Sequence, residues 1–417
     1  MNTASPTNVP GEWRVTTWGE EISLEYGKAI RNYATDCGAY RVFGTNGPVG
    51  WTESFLAPGP GVILGRKGAY RGVKFSAEPF WVIDTAYYVK PKSDLDMRWL
   101  YYAIQHHKLG EIDDGSPIPS TTRSAVYVKP LEVPPLVEQK RIAHILGTLD
   151  DKIELNRRMA ATLEEMARAL FKSWFVDFDP VRAKAEGRPT GLPPDIDALF
   201  PDELVESELG LIPKGWKVST LAQLVDLNPT RSLKKGQVAK YLDMANVRTA
   251  GPSVDEVVER EFGSGTKLMN GDTLLARITP CLENGKTAFV DFLEEGEVGW
   301  GSTEFVVMKP RAPLPDEFAY CLARDDKFRE FAIQSMTGSS GRQRVQAEAL
   351  GRFGIVNPSP QVAQAFAQQS NALFTRICSV ERQAKTLKAI RDTLLPKLMS
   401  GEIKVSEMEI FAEGMKL

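Results

Sequence analysis

A chain of 417 residues is longer than one hydrophobic core usually serves, so two or three domains are expected. With 42% hydrophobic and 25% charged residues it has a globular composition, and it holds no apolar run near 18 residues that would span a membrane. A net charge of −3 excludes reading the whole chain as one small basic nucleic-acid module, while leaving room for local basic patches.

The leader MNTASPTNVPGEW (1–13) lacks the basic start and apolar centre of a signal peptide. Cys37, Cys281, Cys321 and Cys378 are scattered without CxxC spacing, which fits free thiols in a reducing cytoplasm. His106, His107 and His144 do not join them at metal-ligand spacing, so no metal site is expected.

The first body opens at GEWRVTTW (11–18), and KGWKVSTL (214–221) repeats that opening in mid-chain. Each opening leads into a turn, a short apolar strand and a basic loop: GVILGRKGAY (61–70) and GDTLLARITP (271–280). FWVIDTAYYVKP (80–91) and GSTEFVVMKP (301–310) are rich in β-formers and close on Pro91 and Pro310. Amphipathic helices are expected next, over 96–109 and 315–332. Then LEVPPLVEQKRIAHIL (131–146) parallels FGIVNPSPQVAQAFAQQ (353–369), a strand running through prolines into a long helix. Landmarks recurring in one order define an internal repeat with insertions in the second copy.

The long helices carry the clearest periodicity. From Leu136 to Phe175 there is no proline and a single glycine, Gly147. Ile142, Leu149, Asn156, Leu163 and Leu170 recur every seven residues, as do Phe366, Leu373, Val380, Leu387 and Leu394. This is the seam of a coiled coil. The second seam row is expected at Ile145, Lys152, Met159, Met166 and Ser173, and at Gln369, Arg376, Gln383 and Ile390, with Ile153, Ile377 and Ala384 widening the stripe. Asn156 in that seam either fixes register or is solvated. Helices this long need a partner. Pairing them antiparallel gives an α+β fold of two mixed bodies related by a pseudo-twofold axis and separated by a two-helix coiled coil. Pro396 is expected to interrupt the second helix near its end.

The domains follow: a first body at 1–136, a helix at 137–178, a Pro/Gly-rich acidic linker at 179–213, a second body at 214–360, a helix at 361–405 and a tail at 406–417. Leu192, Ile196, Leu199 and Phe200 give the linker an apolar face with which to dock.

Catalytic motifs are imitated and not completed. NGKT (284–287) lacks the upstream glycine of a phosphate loop, since Pro280 stands there. NPSP (357–360) lacks the aromatic that stacks on a flipped base, and PDELVESE (201–208) lacks a following lysine. No GxSxG or HExxH is present, so the chain reads as a binder and not as an enzyme. Arginine suits guanine, amides suit adenine, and glycine-rich basic loops suit phosphates. In the first body Thr45, Asn46, Arg66, Lys67, Tyr70, Arg71, Thr121, Thr122 and Arg123 are the candidate DNA contacts. In the second they are Arg277, Thr279, Asn284, Lys286, Arg342, Gln343 and Arg344.

Four segments resemble the DNA-specificity subunit of Type I restriction–modification systems. They are 134–178, 192–218, LLARITPCLENGKTAFV (274–290) and TLLPKLMSGEI (393–403). The resemblance implies two target-recognition domains that read the halves of an asymmetric bipartite site in double-stranded DNA. It implies that the helices set the unread gap and dock two methyltransferase subunits, and that restriction subunits can join. S-adenosylmethionine, and ATP with Mg, would then sit in those partners, with no cofactor in this chain and a cytoplasmic location. A single-chain restriction enzyme and a coiled-coil scaffold without DNA contacts are the alternatives.

Overall fold

In a computed structural model of the chain, residues 13–34, 37–68, 71–113, 115, 118–339 and 341–405 are described. The tail expected at 406–417 lies outside them. They divide into two compact units. One runs up to Ile153 and resumes from Lys385; the other is Glu154–Ala384.

The first unit is built on a four-stranded antiparallel sheet in the order Ile22–Tyr26, Ala86–Pro91, Gly61–Gly65, Val73–Ser76. Gly61–Gly65 is buried throughout, as its uninterrupted apolar run requires. A smaller mixed sheet holds Gly47–Thr52, Tyr40–Gly44 and Phe80–Val82, the last two parallel. The helix Met97–His106 starts where the Asp96 carboxylate accepts from the Arg98 and Trp99 amides. It buries Trp99, Leu100, Tyr102, Ala103 and Ile104 in the core around Trp18. A short ladder of Arg14–Thr17 with Pro130–Val133 closes the body.

The second unit repeats this plan. Its antiparallel sheet runs Val225–Leu227, Phe305–Pro310, Thr273–Ala276, Thr287–Phe289. Its mixed sheet again contains one parallel pair, Val238–Leu242 with Gly299–Gly301. Lys217–Thr220 pairs with Gly354–Asn357 as the closing ladder. Each opening ladder strand ends in a capping box, Thr17 with Glu20 and Thr220 with Gln223. The shared "Trp, base, Val, hydroxyls" openings therefore encode the same strand-to-helix corner twice. Trp216 is buried among Phe175, Phe178 and Phe200, whereas Trp13 is half-buried at the edge of the first unit's core.

The helix expected over 315–332 is two helices, Asp316–Ala323 and Asp326–Gln334. Asp325 breaks it by capping the second, accepting from the Lys327 and Phe328 amides. The linker is folded. It holds the helices Asp179–Ala185 and Pro194–Asp197 and a hairpin of Leu204–Ser207 with Gly210–Pro213. Phe200 is buried against Trp174, and Leu192, Ile196 and Leu199 pack beside it.

Leu136–Phe175 and Pro360–Met399 are single helices of 40 residues each. The second runs through Pro396 to Met399, which corrects the expected interruption. Within each unit the two helices pair antiparallel. Arg391 meets Asp150 at 2.5 Å in the first unit, and Phe171 and Phe175 pack on Phe366 in the second. The heptad row Ile142, Leu149, Asn156, Leu163, Leu170 is buried or half-buried, and so is Phe366, Leu373, Val380, Leu387, Leu394. The second row matches expectation only in part. A more deeply buried row lies four residues on, Leu146, Ile153, Ala160, Ala167 and Trp174 with Ser370, Ile377, Ala384, Arg391 and Leu398. Part of it packs on the second body and the linker, where Cys321 meets the Ala167 carbonyl, Ser370 meets Glu317 and Trp174 meets Phe200. In the expected row Lys152, Met166, Gln369, Arg376, Gln383 and Ile390 are exposed and Ile145, Met159 and Ser173 half-buried, yet Arg376 reaches the Met159 Sδ at 3.7 Å and Gln383 meets Asn156 across the pair. Asn156 is 1% exposed and donates from Nδ2 to the Gln383 Oε1 at 2.9 Å, so the open question of its environment resolves to burial with a partner.

The helices are tied to each body by a tyrosine. The Tyr102 hydroxyl donates to the Asp150 carboxylate at 2.6 Å, and the Tyr320 hydroxyl to the Glu164 carboxylate at 2.6 Å. Burial, followed by the neighbouring carboxylate, pushes both phenols above their ordinary value. A Cβ at Gly147 would lie 2.6 Å from Arg98 Nε, so a side chain there would displace the guanidinium that donates to the Gly147 carbonyl and to Asp151.

Glu21, buried under the opening ladder, accepts from Arg14 and Ser93. The Arg14 hydrogen bond holds its carboxyl below the ordinary glutamate value, against the opposing effect of burial. Its contribution is fully present above that ordinary value and is lost as pH falls through the lowered one. The melting temperature of the wild type should therefore fall more steeply with acidification below about pH 4 than that of Glu21→Gln. At neutral pH that variant should lose about 1.5–3 kcal/mol.

Candidate nucleic-acid interface

In the first unit the buried strand Gly61–Gly65 delivers Arg66 to the surface. The backbone there is fixed from both sides. The Arg66 amide donates to the Thr85 carbonyl at 3.0 Å, and the Thr121 amide donates to the Arg66 carbonyl at 2.9 Å. Gly68 donates to Pro119 at 3.0 Å, and Lys67 bridges to Ser120. The turn bearing Thr45 and Asn46 packs on this loop: the Thr45 hydroxyl donates to the Lys67 carbonyl at 2.7 Å, and the Gly72 amide to the Thr45 carbonyl at 2.8 Å. Gly65 cannot carry a side chain, because a Cβ would stand 2.1 Å from the Thr45 carbonyl oxygen. The loops holding Thr45, Asn46, Arg66, Lys67, Arg71, Thr122 and Arg123 therefore form one cluster. Tyr70 lies outside the described residues.

The second unit builds the same cluster. Thr273–Ala276 is buried and delivers Arg277. The Arg277 amide donates to the Glu304 carbonyl at 2.9 Å, and the Val345 amide donates to the Arg277 carbonyl at 2.9 Å. Ile278 bridges to Arg344, and the Thr279 amide donates to the Gln343 carbonyl at 3.1 Å. Arg277, Thr279, Arg342, Gln343 and Arg344 are thereby brought together, while exposed Asn284 and half-buried Lys286 lie on the following turn.

The side chains divide by what they already hold. Thr121 is fully buried, and its hydroxyl donates towards the Leu109 and Ile112 carbonyls. It stands where fully buried Val345 stands in the second unit, so it is a core residue, which corrects its place among the candidate contacts. The Arg71 guanidinium donates to the Gly110, Gly68 and Ile112 carbonyls at 2.9, 2.8 and 3.0 Å, bracing the loop from within. The Arg344 guanidinium is paired with the Glu304 carboxylate at 2.7 Å, which raises its pKa. Lys286 Nζ donates to the Met244 carbonyl at 2.7 Å. Thr122 caps the helix Arg123–Tyr127, accepting from the Ala125 amide at 3.3 Å. Asn46, Lys67, Asn284 and Arg342 are exposed.

Residues not anticipated complete the two clusters. Tyr26 and Tyr87 lie in register on neighbouring strands, with ring centroids 5.1 Å apart. The Arg66 and Arg123 guanidiniums lie 4.8 and 4.2 Å from the Tyr26 centroid. Burial and the adjoining Tyr26 push the Tyr87 phenol up to about 12. In the second unit Glu304 and Gln346 serve Arg344 and Arg277. The signal for Tyr26 was the alternation of ISLEY into the strand end; the acceptors of Arg277 and Arg344 follow only from the fold.

None of the four cysteines forms a disulfide. Among the described residues no group of three His, Cys, Asp or Glu is placed to hold a metal ion, and no helix is long and apolar enough to cross a membrane.

One mixed body folded twice, each copy closed by parts of two long helices, is the architecture of an internally duplicated protein. Comparisons with known proteins agree. Residues 11–165 match the family profile described as "Type I restriction modification DNA specificity domain". The chain is 26% identical over 336 residues to the Type I restriction enzyme HindI specificity subunit of Haemophilus influenzae, covering 68% of this chain and 71% of that one. It is 25% identical over 340 residues to the MjaIX specificity subunit of Methanocaldococcus jannaschii, covering 76% and 72%. Its fold is similar to the crystal structure of the Type I system S subunit from M. genitalium, with a TM-score of 0.57 at 17% identity over 94% of this chain and 98% of that one. The chain is thus similar, over 68–76% of its length, to Type I restriction enzyme specificity subunits, and residues 11–165 carry the match to their DNA specificity domain.

Proposed function

We propose that this chain is the DNA-recognition subunit of a Type I restriction–modification complex and is not itself a catalyst. Each body reads one half of an asymmetric, bipartite site in double-stranded DNA. The paired long helices set the unread gap and dock two methyltransferase subunits, which carry S-adenosylmethionine and modify adenines. Two restriction subunits, using ATP and Mg, complete the assembly. The observation that carries this reading is the repeated framework that presents Arg66 in one body and Arg277 in the other with different surroundings.

The test is a footprint of the chain with its methyltransferase partners on a site defined by mapping methylated adenines. Exchanging residues 1–136 for the equivalent body of another specificity subunit should change protection in one half only. Loss of both halves together would end the two-reader account. Arg66→Ala and Arg277→Ala should each weaken binding by about 1–3 kcal/mol if they contact bases. If either contacts a phosphate instead, the salt slope of the binding constant should fall by about one. Thr121→Val, a core substitution, should leave affinity and slope unchanged.

A further inference from the structure

Arg66 and Arg277 occupy one place in two copies of the same backbone, yet their guanidiniums are held differently. Arg66 lies against Tyr26, a ring 46% exposed at the end of its strand, and Arg123 lies against the same ring. Both guanidiniums also approach the Tyr87 ring, at 5.8 and 6.0 Å. The counter-charge is slight: Glu25 stands 4.0 Å from Arg123, and Arg66 donates to the Asp84 carbonyl at 3.1 Å.

The second body has no such ring. Counting in sequence from the pairs Ile22–Pro91 and Val225–Pro310, the place of Tyr26 falls on Pro229, two residues past the end of the strand Val225–Leu227, and that of Tyr87 on Val306. Ala347 follows the helix cap where Arg123 does in the first body. Arg277 instead donates to the side-chain oxygen of Gln346, the exposed cap residue at the place of Thr122.

These two supports leave different edges of the guanidinium to the outside. A guanidinium stacked on a ring keeps its N–H groups in a plane for bidentate pairing. A guanidinium held by an amide oxygen has spent one N–H and brings the amide's own NH2 beside it. In both clusters one arginine is also under-satisfied: Arg123 Nε and Arg277 Nε are out of solvent with no hydrogen-bond acceptor among the described residues. Such atoms are costly in a finished structure and are expected where a ligand completes the site.

We propose that Tyr26 and Gln346 are specificity-determining residues: Tyr26 aims Arg66 and Arg123 at one half of the recognised duplex, and Gln346 aims Arg277 at the other. This rests on the DNA-reading function proposed above. Both are positioning residues, acting through the arginines they hold.

The experiment is selection from a library of duplexes with randomised base pairs, using the full chain with its methyltransferase partners. The wild type should enrich two separated clusters of preferred bases. No enrichment by the wild type would sink the DNA-reading function itself. Given enrichment, Tyr26→Leu should shift base preference roughly tenfold at one or two positions of one cluster and leave the other as it was. Gln346→Ala should do the same in the other cluster only. Tyr26→Phe, which keeps the ring, should retain the wild-type ranking. A purely structural role would lower the melting temperature, or the affinity for all duplexes alike, without reordering the bases. That result for either variant, or a shift in both clusters at once, overturns the proposal. Should Tyr26→Leu fail to fold, the exposed Gln346→Ala decides the matter alone.

Discussion

Arg231→Met is expected to destabilise the second unit by about 3–5 kcal/mol, because it strands the Asp272 carboxylate in the interior. Asp272 is fully buried, and the Arg231 side chain is 9% exposed. Their contact is bidentate, and Asp272 also accepts from the Met269 amide at 2.7 Å. Burial raises the Asp272 pKa even with Arg231 present. Removing the cation raises it further, so the folded variant binds a proton that the unfolded chain does not. The variant should therefore regain stability as pH falls from 7 towards 5. Urea unfolding of the full chain, with amide exchange at Leu274 and Leu275 to locate the loss, measures both effects. Adding Asp272→Asn should restore part of the deficit and abolish its pH dependence. A loss below 1 kcal/mol would mean that water reaches the site.

Trp174→Ala should cost about 3–5 kcal/mol, and its partner experiment tests which face of the first long helix is buried. Trp174 is fully buried and lies edge-on to Phe200 of the linker at 5.0 Å and near Phe366 of the second long helix at 6.2 Å. The substitution removes the anchor of both, so proteolysis within 186–203 should accelerate together with unfolding. Met166→Ala, at a position 53% exposed in the expected second row, should stay within about 0.5 kcal/mol of wild type. Equal effects from the two variants would contradict the burial of Trp174.

The repeat, both long helices and one row of the seam were legible because heptad spacing and Trp landmarks depend on local pattern alone. The second row was legible only in part: Met159, Arg376 and Gln383 meet the facing helix, but the deeper burial lies four residues on. Ile145, Met159 and Met166 are apolar three residues after the first row, and Ala160, Ala167 and Ala384 are apolar four after it. Only the facing helix decides between them. Pro396 was misread for a related reason: a proline argues for a break, yet the helix carries it through to Met399. In the clusters, the arginine-bearing loops were legible from Gly, basic and hydroxyl content. Which arginines are already occupied was not. Arg71 turns inward onto three carbonyls, and Arg344 onto Glu304, a residue forty positions away in the chain. Thr121 looked like a surface hydroxyl until the fold set it where Val345 stands.

The bonds that fix Arg66 and Arg277 in place run between main-chain atoms: amide to the Thr85 or Glu304 carbonyl, and carbonyl to the Thr121 or Val345 amide. A scaffold of that kind is indifferent to what hangs from it. Side chains at the two arginine-bearing loops can drift through many alternatives with little folding cost, provided Gly65 and the buried strands are kept. Evolution of a new target would then be a walk across neutral ground, with stability and sequence preference changing on separate clocks.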